Sequence, residues 1–415
     1  MRRTDIKVRI NEKLWKKMKE KMKTDFGHSY CDTDSLLIVM LLFLYKKKNP
    51  NRNTVNLYLV LDNPTELQEE NYHLKTISVY KELLEYLREL NPNSDNRQLI
   101  ERAIVDYLYL PLNFYTDCIS PVYTIIGSKN CKMQNATDTA ISQMSLACKD
   151  ITLIDGCCAT GSLFFGLKTY DWKNVILNDM NPLRTNFLNV LKMKPLKLIK
   201  MILDTDLSFI EHPDSKNEKL HIFKDNTNAY EEKRKNYKKV DCNVEIAYQM
   251  FLRQCMDKQN IEHSDKIFKR LLRFLPAHLK IQNVDITQND CLTYLSNNNM
   301  PKLVLLDVPY IGSEKQCAVR EYCYEAFHNK VANLLQQADY PFIYYCRSSA
   351  PKSDTSKSIA EKEKIMKMKL GMHFLNKGFY FQKVRLKKDT ELLISNREYD
   401  EETQFQWTDF EQDLL

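Results

Sequence analysis

ITLIDGCCATGSLFFGLK, residues 151–168, is the stretch whose reading decides the fold. An apolar run ends on a carboxylate at Asp155, and small residues at Gly156, Ala159, Gly161 and Ser162 then let the backbone turn sharply before SLFFGLK starts a helix. Such a turn can present amides to a ligand carboxylate or phosphate, or it can be an ordinary strand-to-helix connection. Three further runs, NVILN (174–178), KLVLL (302–306) and PFIYY (341–345), have the length and apolarity of strands covered on both faces. FYFQKVRL and TELLISN flank the short turn KKD and read as an antiparallel hairpin. Together they predict an α/β fold with a Rossmann-like sheet, mostly parallel and closed by a terminal antiparallel hairpin.

With 415 residues, the chain is long enough for two or three domains. Residues 1–115 read as mainly helical, and residues 116–189 with 281–415 form the α/β part. Residues 190–280 form a polar, Lys-rich helical insert that includes the charge run EEKRKNYKK (231–239), a solvated face or loop. RSSAPKSDTSKS (347–358) reads as a loop. A formal net charge of +7 fits a polyanionic partner without specifying one. The twelve cysteines, irregularly spaced and with no CxxC pair, give no metal-ligand pattern and read as reduced thiols of a cytoplasmic protein. SLLIVMLLFLY (35–45) is too short to span a bilayer, so neither membrane nor metal is expected.

LLDVPYIGSE (305–314) ends another apolar run on a carboxylate. Asp307 and Pro309 are turn formers and Tyr310 could simply pack, so alone the stretch could be a strand-to-loop turn. Asp179, at the end of NVILND, adds a second carboxylate about two dozen residues past Asp155. An acid there can accept hydrogen bonds from both ribose hydroxyls of an adenosine cofactor.

At this point the chain resembles the Dam-like DNA adenine methyltransferases, which use S-adenosylmethionine. Their first-strand pattern Asp-x-Phe-x-Gly-x-Gly-Ser is matched by Asp155, Gly161 and Ser162, with Cys157 in place of Phe and Ala159 in place of the first Gly. NDMNP (178–182) resembles the family's Asn-Asp-Ile-Asn-Pro, and YTIIGSK (123–129) its Gly-Ser-Lys entry motif, whose lysine, here Lys129, lies near the cofactor's methionine end. ITQNDCLTYL (286–295) is similar to the segment whose acid, here Asp290, faces the cofactor's adenine. LLDVPYIGSE then matches the catalytic Asp-Pro-Pro-Tyr motif with Val308 in place of the first proline, and TELLISN resembles a late family strand. The six motifs keep the family's order and cover roughly residues 118–400.

The resemblance implies S-adenosylmethionine as cofactor and double-stranded DNA as substrate. An adenine amine is a poor nucleophile because its lone pair is delocalised into the ring, and accepting hydrogen bonds from both N–H groups localises it. The resemblance assigns one acceptor to Asp307 and the other to the Val308 carbonyl, with Pro309 completing the motif and Tyr310 stacking on a base flipped out of the duplex. Valine also supplies a carbonyl, so the departure at 308 is compatible with chemistry. A DNA-binding regulator without turnover, and methylation of RNA or of a cytosine amine, are the competing readings. The insert is the candidate for reading the target.

DIKVRI (5–10) alternates strictly, with Ile6, Val8 and Ile10 on one face and Asp5, Lys7 and Arg9 on the other. A helical stripe of Leu14, Met18 and Met22, a break at FGHSY and a second helix from Asp34 to Tyr45 follow. This order resembles a ribbon-helix-helix module, whose ribbon face would bring Lys7 and Arg9 to DNA. A helical cap with an incidental strand is the alternative. A second copy is suggested by the alternation in TVNLYLVL (54–61) and a capped helix in SDNRQLIERAIVDYL (94–108).

Overall fold

The computed structural model describes residues 3–48, 72–120, 122, 131–205, 242–257, 260–261, 264–296, 300–310, 320–347, 374, 377–385 and 390–398. The chain divides into two compact units, one of Met1–Val122, Val190–Asn236 and Cys242–Gln282, the other of Tyr123–Asn189, Tyr237–Asp241 and Asn283–Leu415.

In the first unit, β1 (Arg3–Asn11) runs directly into α1 (Glu12–Phe26), and α2 (Asp32–Lys48) follows. The order repeats as β2 (Tyr72–Tyr80), α3 (Lys81–Leu90) and α4 (Asn96–Tyr109). The expected alternation of β1 holds, with Ile6, Val8 and Ile10 buried and Asp5, Lys7 and Arg9 exposed. Asn11 caps α1 by accepting from the Leu14 amide at 3.1 Å, and Gly27, at φ 74°, ends it in the left-handed conformation that suits glycine. Asp95 and Gln98 form a reciprocal capping box at the start of α4.

The two strands pair antiparallel along their full length, from Arg3 opposite Tyr80 to Asn11 opposite Tyr72. The partner of β1 is therefore 72–80, whereas the stretch expected to supply it, 54–61, lies outside the described residues. The alternation of β2 is masked in the sequence because His73 and Lys75 share the parity of the buried Ile77 and Val79. Both reach an acidic side chain, His73 Nε2 to Glu12 and Lys75 Nζ to Asp32, each at 2.9 Å.

α2 is apolar all round, and every residue from Leu36 to Tyr45 is buried. Such a helix needs cover on every side. It packs on α4 and on β2, and also on helix Phe274–Ile281 from the segment after residue 190. His278 of that helix is buried, stacks on Phe26 with ring centres 5.5 Å apart and places Nδ1 3.0 Å from the Leu191 carbonyl. The sequence separates the 190–280 insert from the N-terminal region; contacts group the two in one unit.

The second unit holds β3 (Thr152–Asp155), β4 (Asn174–Asn178), β5 (Val284–Thr287), β6 (Lys302–Leu306), β7 (Phe342–Arg347), β8 (Tyr380–Arg385) and β9 (Thr390–Ser395). They form one seven-stranded sheet in the order β8-β9-β7-β6-β3-β4-β5. β5, β4, β3, β6 and β7 are parallel; β9 joins β7 antiparallel and β8 joins β9 antiparallel. This is the expected Rossmann-like α/β sheet with its terminal hairpin. Ile154, Val304, Leu306, Phe342, Tyr344, Leu392 and Ile394 pack on Val331 and Leu335 of helix Glu325–Gln336. Each large apolar side chain buried there contributes roughly 1.5–3 kcal/mol.

Candidate active site at the carboxyl ends of the central strands

The chain lays down β3, β4 and β5 toward one edge, then returns to place β6 on the other side of β3. Ligands of open α/β sheets bind outside the carboxyl ends of the strands at such a reversal. Asp155 ends β3, and Asp307 follows β6 directly.

Asp155 is fully buried, and among the described residues no side chain donates a hydrogen bond to its carboxylate. Burial, then the facing charges of Asp307 and Asp179, push its pKa well above the usual carboxylate range, with slight relief from the Cys157 amide. A nearby positive charge would restore the ionised form of such an acid. Burial also pushes up the Cys158 thiol, and the neighbouring Cys291 thiol together with burial raises Cys157.

The turn after β3 is tightly built. The Gly156 amide donates to the Leu305 carbonyl at 2.9 Å, and a Cβ on Gly156 would meet Leu306 Cδ2 at 2.9 Å. Ala159 sits at φ 53°, so it adopts the left-handed conformation for which the family pattern uses glycine. Gly161 follows at φ 71°, and the buried Ser162 carbonyl accepts from Gln134 Nε2 at 2.7 Å.

Asp179, the expected ribose acceptor, is nearly buried. Its Oδ2 accepts from the Ala159 amide at 2.9 Å and from Arg184 Nη1 at 3.1 Å, while Oδ1 accepts from the Asn181 amide at 2.8 Å. Asn178 holds the surrounding loops together. Its Nδ2 donates to the Gly156 and Asn289 carbonyls, both at 2.9 Å, and its Oδ1 accepts from Thr287 Oγ1 at 2.9 Å and the Asn289 amide at 2.8 Å. Asp290 is exposed and accepts from the Tyr322 hydroxyl at 2.8 Å and the Leu292 amide at 3.0 Å. Tyr322 also lies 2.8 Å from Met180 Sδ and stacks on Phe327 with ring centres 4.2 Å apart.

Asp307, Pro309 and Tyr310 are half-buried, whereas Val308 is buried in the apolar cluster beneath the sheet. The Tyr310 hydroxyl donates to Glu391 Oε1, on β9, at 3.1 Å. The structure thus gathers Asp155, Cys157, Asp179, Asp290 and Asp307 at one end of the sheet. Lys129 lies outside the described residues. Lys7 and Arg9 belong to the other unit, exposed on the outward face of its ribbon.

Sequence reading missed Asn178, Arg184, Tyr322 and Glu391. A polar residue closing an apolar strand is a visible signal for Asn178; the other three carry none, because their partners are distant in sequence. Among the described residues, no cluster of His, Cys, Asp and Glu suits a metal ion, and no helix is long and apolar enough to cross a membrane.

No protein-family profile matches the chain, and no curated protein sequence matches it. Among solved structures, it is similar to one from Listeria monocytogenes described as a "putative class I S-adenosylmethionine-dependent methyltransferase". The two are 10% identical over 88% of this chain and 89% of that one, at a TM-score of 0.27. The fold rests on the strand order of the sheet.

Proposed function

We propose that this protein transfers a methyl group from S-adenosylmethionine to the exocyclic amine of adenine in double-stranded DNA, after the base has been flipped out of the duplex. The observation that carries the reading is the pair of acids flanking the sheet's reversal: Asp307, opening the Asp-Val-Pro-Tyr segment, and the fully buried Asp155.

S-adenosylmethionine supplies an electrophilic methyl group on a sulfonium cation. The acids present fit such a ligand: Asp155 has no side-chain donor among the described residues, Asp179 retains acceptor capacity beyond its three donors, and Asp290 is exposed. Cys157, Gly161 and Ser162 shape the turn beside them, and Lys129 completes the set assigned by resemblance. Asp307 and the Val308 carbonyl accept hydrogen bonds from the target amine and localise its lone pair. Tyr310, anchored through its hydroxyl by Glu391, presents its ring to the flipped base, a stacking contact worth roughly 1–3 kcal/mol. Lys7 and Arg9 add affinity for the duplex.

Incubating the protein with labelled cofactor and mixed-sequence duplex DNA, then digesting the product to nucleosides, tests the proposal. Label in methylated adenosine supports it. Label in a cytosine derivative moves the target to the other planar amine, and absence of label in any nucleoside rejects methyl transfer to DNA.

A further inference from the structure

The ribbon of β1 and β2 has an approximate two-fold built into one chain. Residue i of β1 corresponds to residue i plus 69 of β2, because α1 begins at Glu12 and α3 at Lys81. The exchange is reciprocal in the packing as well, with β1 against α4, β2 against α2 and the two second helices against each other. Two identical copies would present identical outward side chains, and a two-fold surface matches a palindromic duplex.

Here the outward side chains differ at every equivalent position. β1 presents Asp5, Lys7 and Arg9; β2 presents Leu74, Thr76 and Ser78. They lie directly opposite one another as Asp5 with Ser78, Lys7 with Thr76 and Arg9 with Leu74. Leu74 is 63% exposed on this face. The inward side chains of β2 are occupied, His73 with Glu12 and Lys75 with Asp32, and Arg3 is held by Tyr80 and Asp204. The outward cations Lys7 and Arg9 have no such counter-ion among the described residues.

Outward residues of a strand are about 6.6–6.8 Å apart, close to two base steps of about 3.4 Å, and the major groove admits a two-stranded ribbon. Lys and Arg pair with guanine O6 and N7, and Asp accepts from cytosine N4. Leu74 and the methyl of Thr76 fit the thymine methyl group. Resting on the DNA reading above, we infer that this ribbon recognises a non-palindromic duplex site as a single copy, its Arg9–Leu74 end reading a half with a guanine beside a thymine and its Asp5–Ser78 end a half that includes a cytosine.

The test uses the full chain and a randomised duplex library, with selection repeated on Arg9→Ala and Leu74→Ala. Both residues are exposed, and circular dichroism checks that each variant keeps the parent's fold. The expected parental consensus is asymmetric, with one chain per duplex. Arg9→Ala should relax a guanine in one half by about tenfold or more. Leu74→Ala should relax a thymine in the same half, since Leu74 lies directly opposite Arg9. Replacing that thymine with uracil should weaken the parent several-fold and leave Leu74→Ala unchanged. A palindromic consensus, two chains per site, or a consensus shared by parent and both variants overturns the inference while leaving the DNA reading intact. A folded parent that retains no duplex at all overturns both.

Discussion

The Ala159 amide donates to Asp179 Oδ2 across 2.9 Å, tying the turn after β3 to the residue that follows β4. One carboxylate thus holds the left-handed turn in shape, and under the proposed function it also accepts hydrogen bonds from the cofactor's ribose. Asp179→Ala should weaken cofactor binding by tenfold or more through lost hydrogen bonds. Its turnover at saturating cofactor should fall much less. Calorimetric titration with S-adenosylmethionine, beside steady-state rates, measures both; unchanged affinity would take Asp179 out of the cofactor site.

Asp307→Ala should behave in the opposite way. The carboxylate is assigned to the target amine, so the rate should drop by about 100-fold or more while cofactor affinity stays within a few-fold of the parent. Equal losses in both quantities would move Asp307 into the cofactor site.

Ala159→Gly should stabilise the fold by up to about 1 kcal/mol. A non-glycine residue in the left-handed region costs roughly 1–2 kcal/mol, and the glycine's greater freedom in the unfolded chain returns about 0.4–1 kcal/mol of that gain. Urea unfolding decides it, and a destabilised variant would show that the methyl group packs usefully.

His278 is buried, and burial lowers its pKa to about 4 from the ordinary value near 6.5. Between those values the unfolded chain binds the proton and the folded one does not, so stability is present above about pH 6.5 and is lost as pH falls toward 4. The loss is on the order of 3 kcal/mol. His278→Gln should be less stable than the parent at pH 7.5, and the gap should narrow on acidification. A gap that stays constant from pH 7.5 to 4.5 would mean that the imidazole titrates normally.

Lys7→Ala combined with Arg9→Ala should weaken DNA binding and flatten its dependence on salt, lowering the slope of log K against log salt by up to about 2. Affinity measured at several salt concentrations would expose an error if the double variant followed the parent at all of them.

The sequence by itself determined the kind of many elements and the order of the motifs. β3, β4, β6 and β7 are read directly from short apolar runs because strands covered on both faces are mostly apolar, and the hairpin of β8 and β9 is read from two runs flanking a short turn. The alternation of β1 and the capping residues of α4 are equally local. Asp155, Asp179 and Asp307 were legible as acids ending strands. What surrounds them was not: the facing of Asp155 by Asp307 and the hold of Glu391 on Tyr310 join residues far apart in sequence, and the grip of Arg184 on Asp179 depends on how the helix after β4 is set. Tertiary structure also chose 72–80 as the partner of β1, since the polar side chains of His73 and Lys75 hide the alternation until Glu12 and Asp32 are brought beside them. It likewise placed helix Phe274–Ile281 with α2, whose uniformly apolar surface calls for cover on every side without naming the element that provides it. Local periodicity records how a segment is buried; which distant segment buries it is settled by complementary shape and charge, and those exist only once the chain has folded.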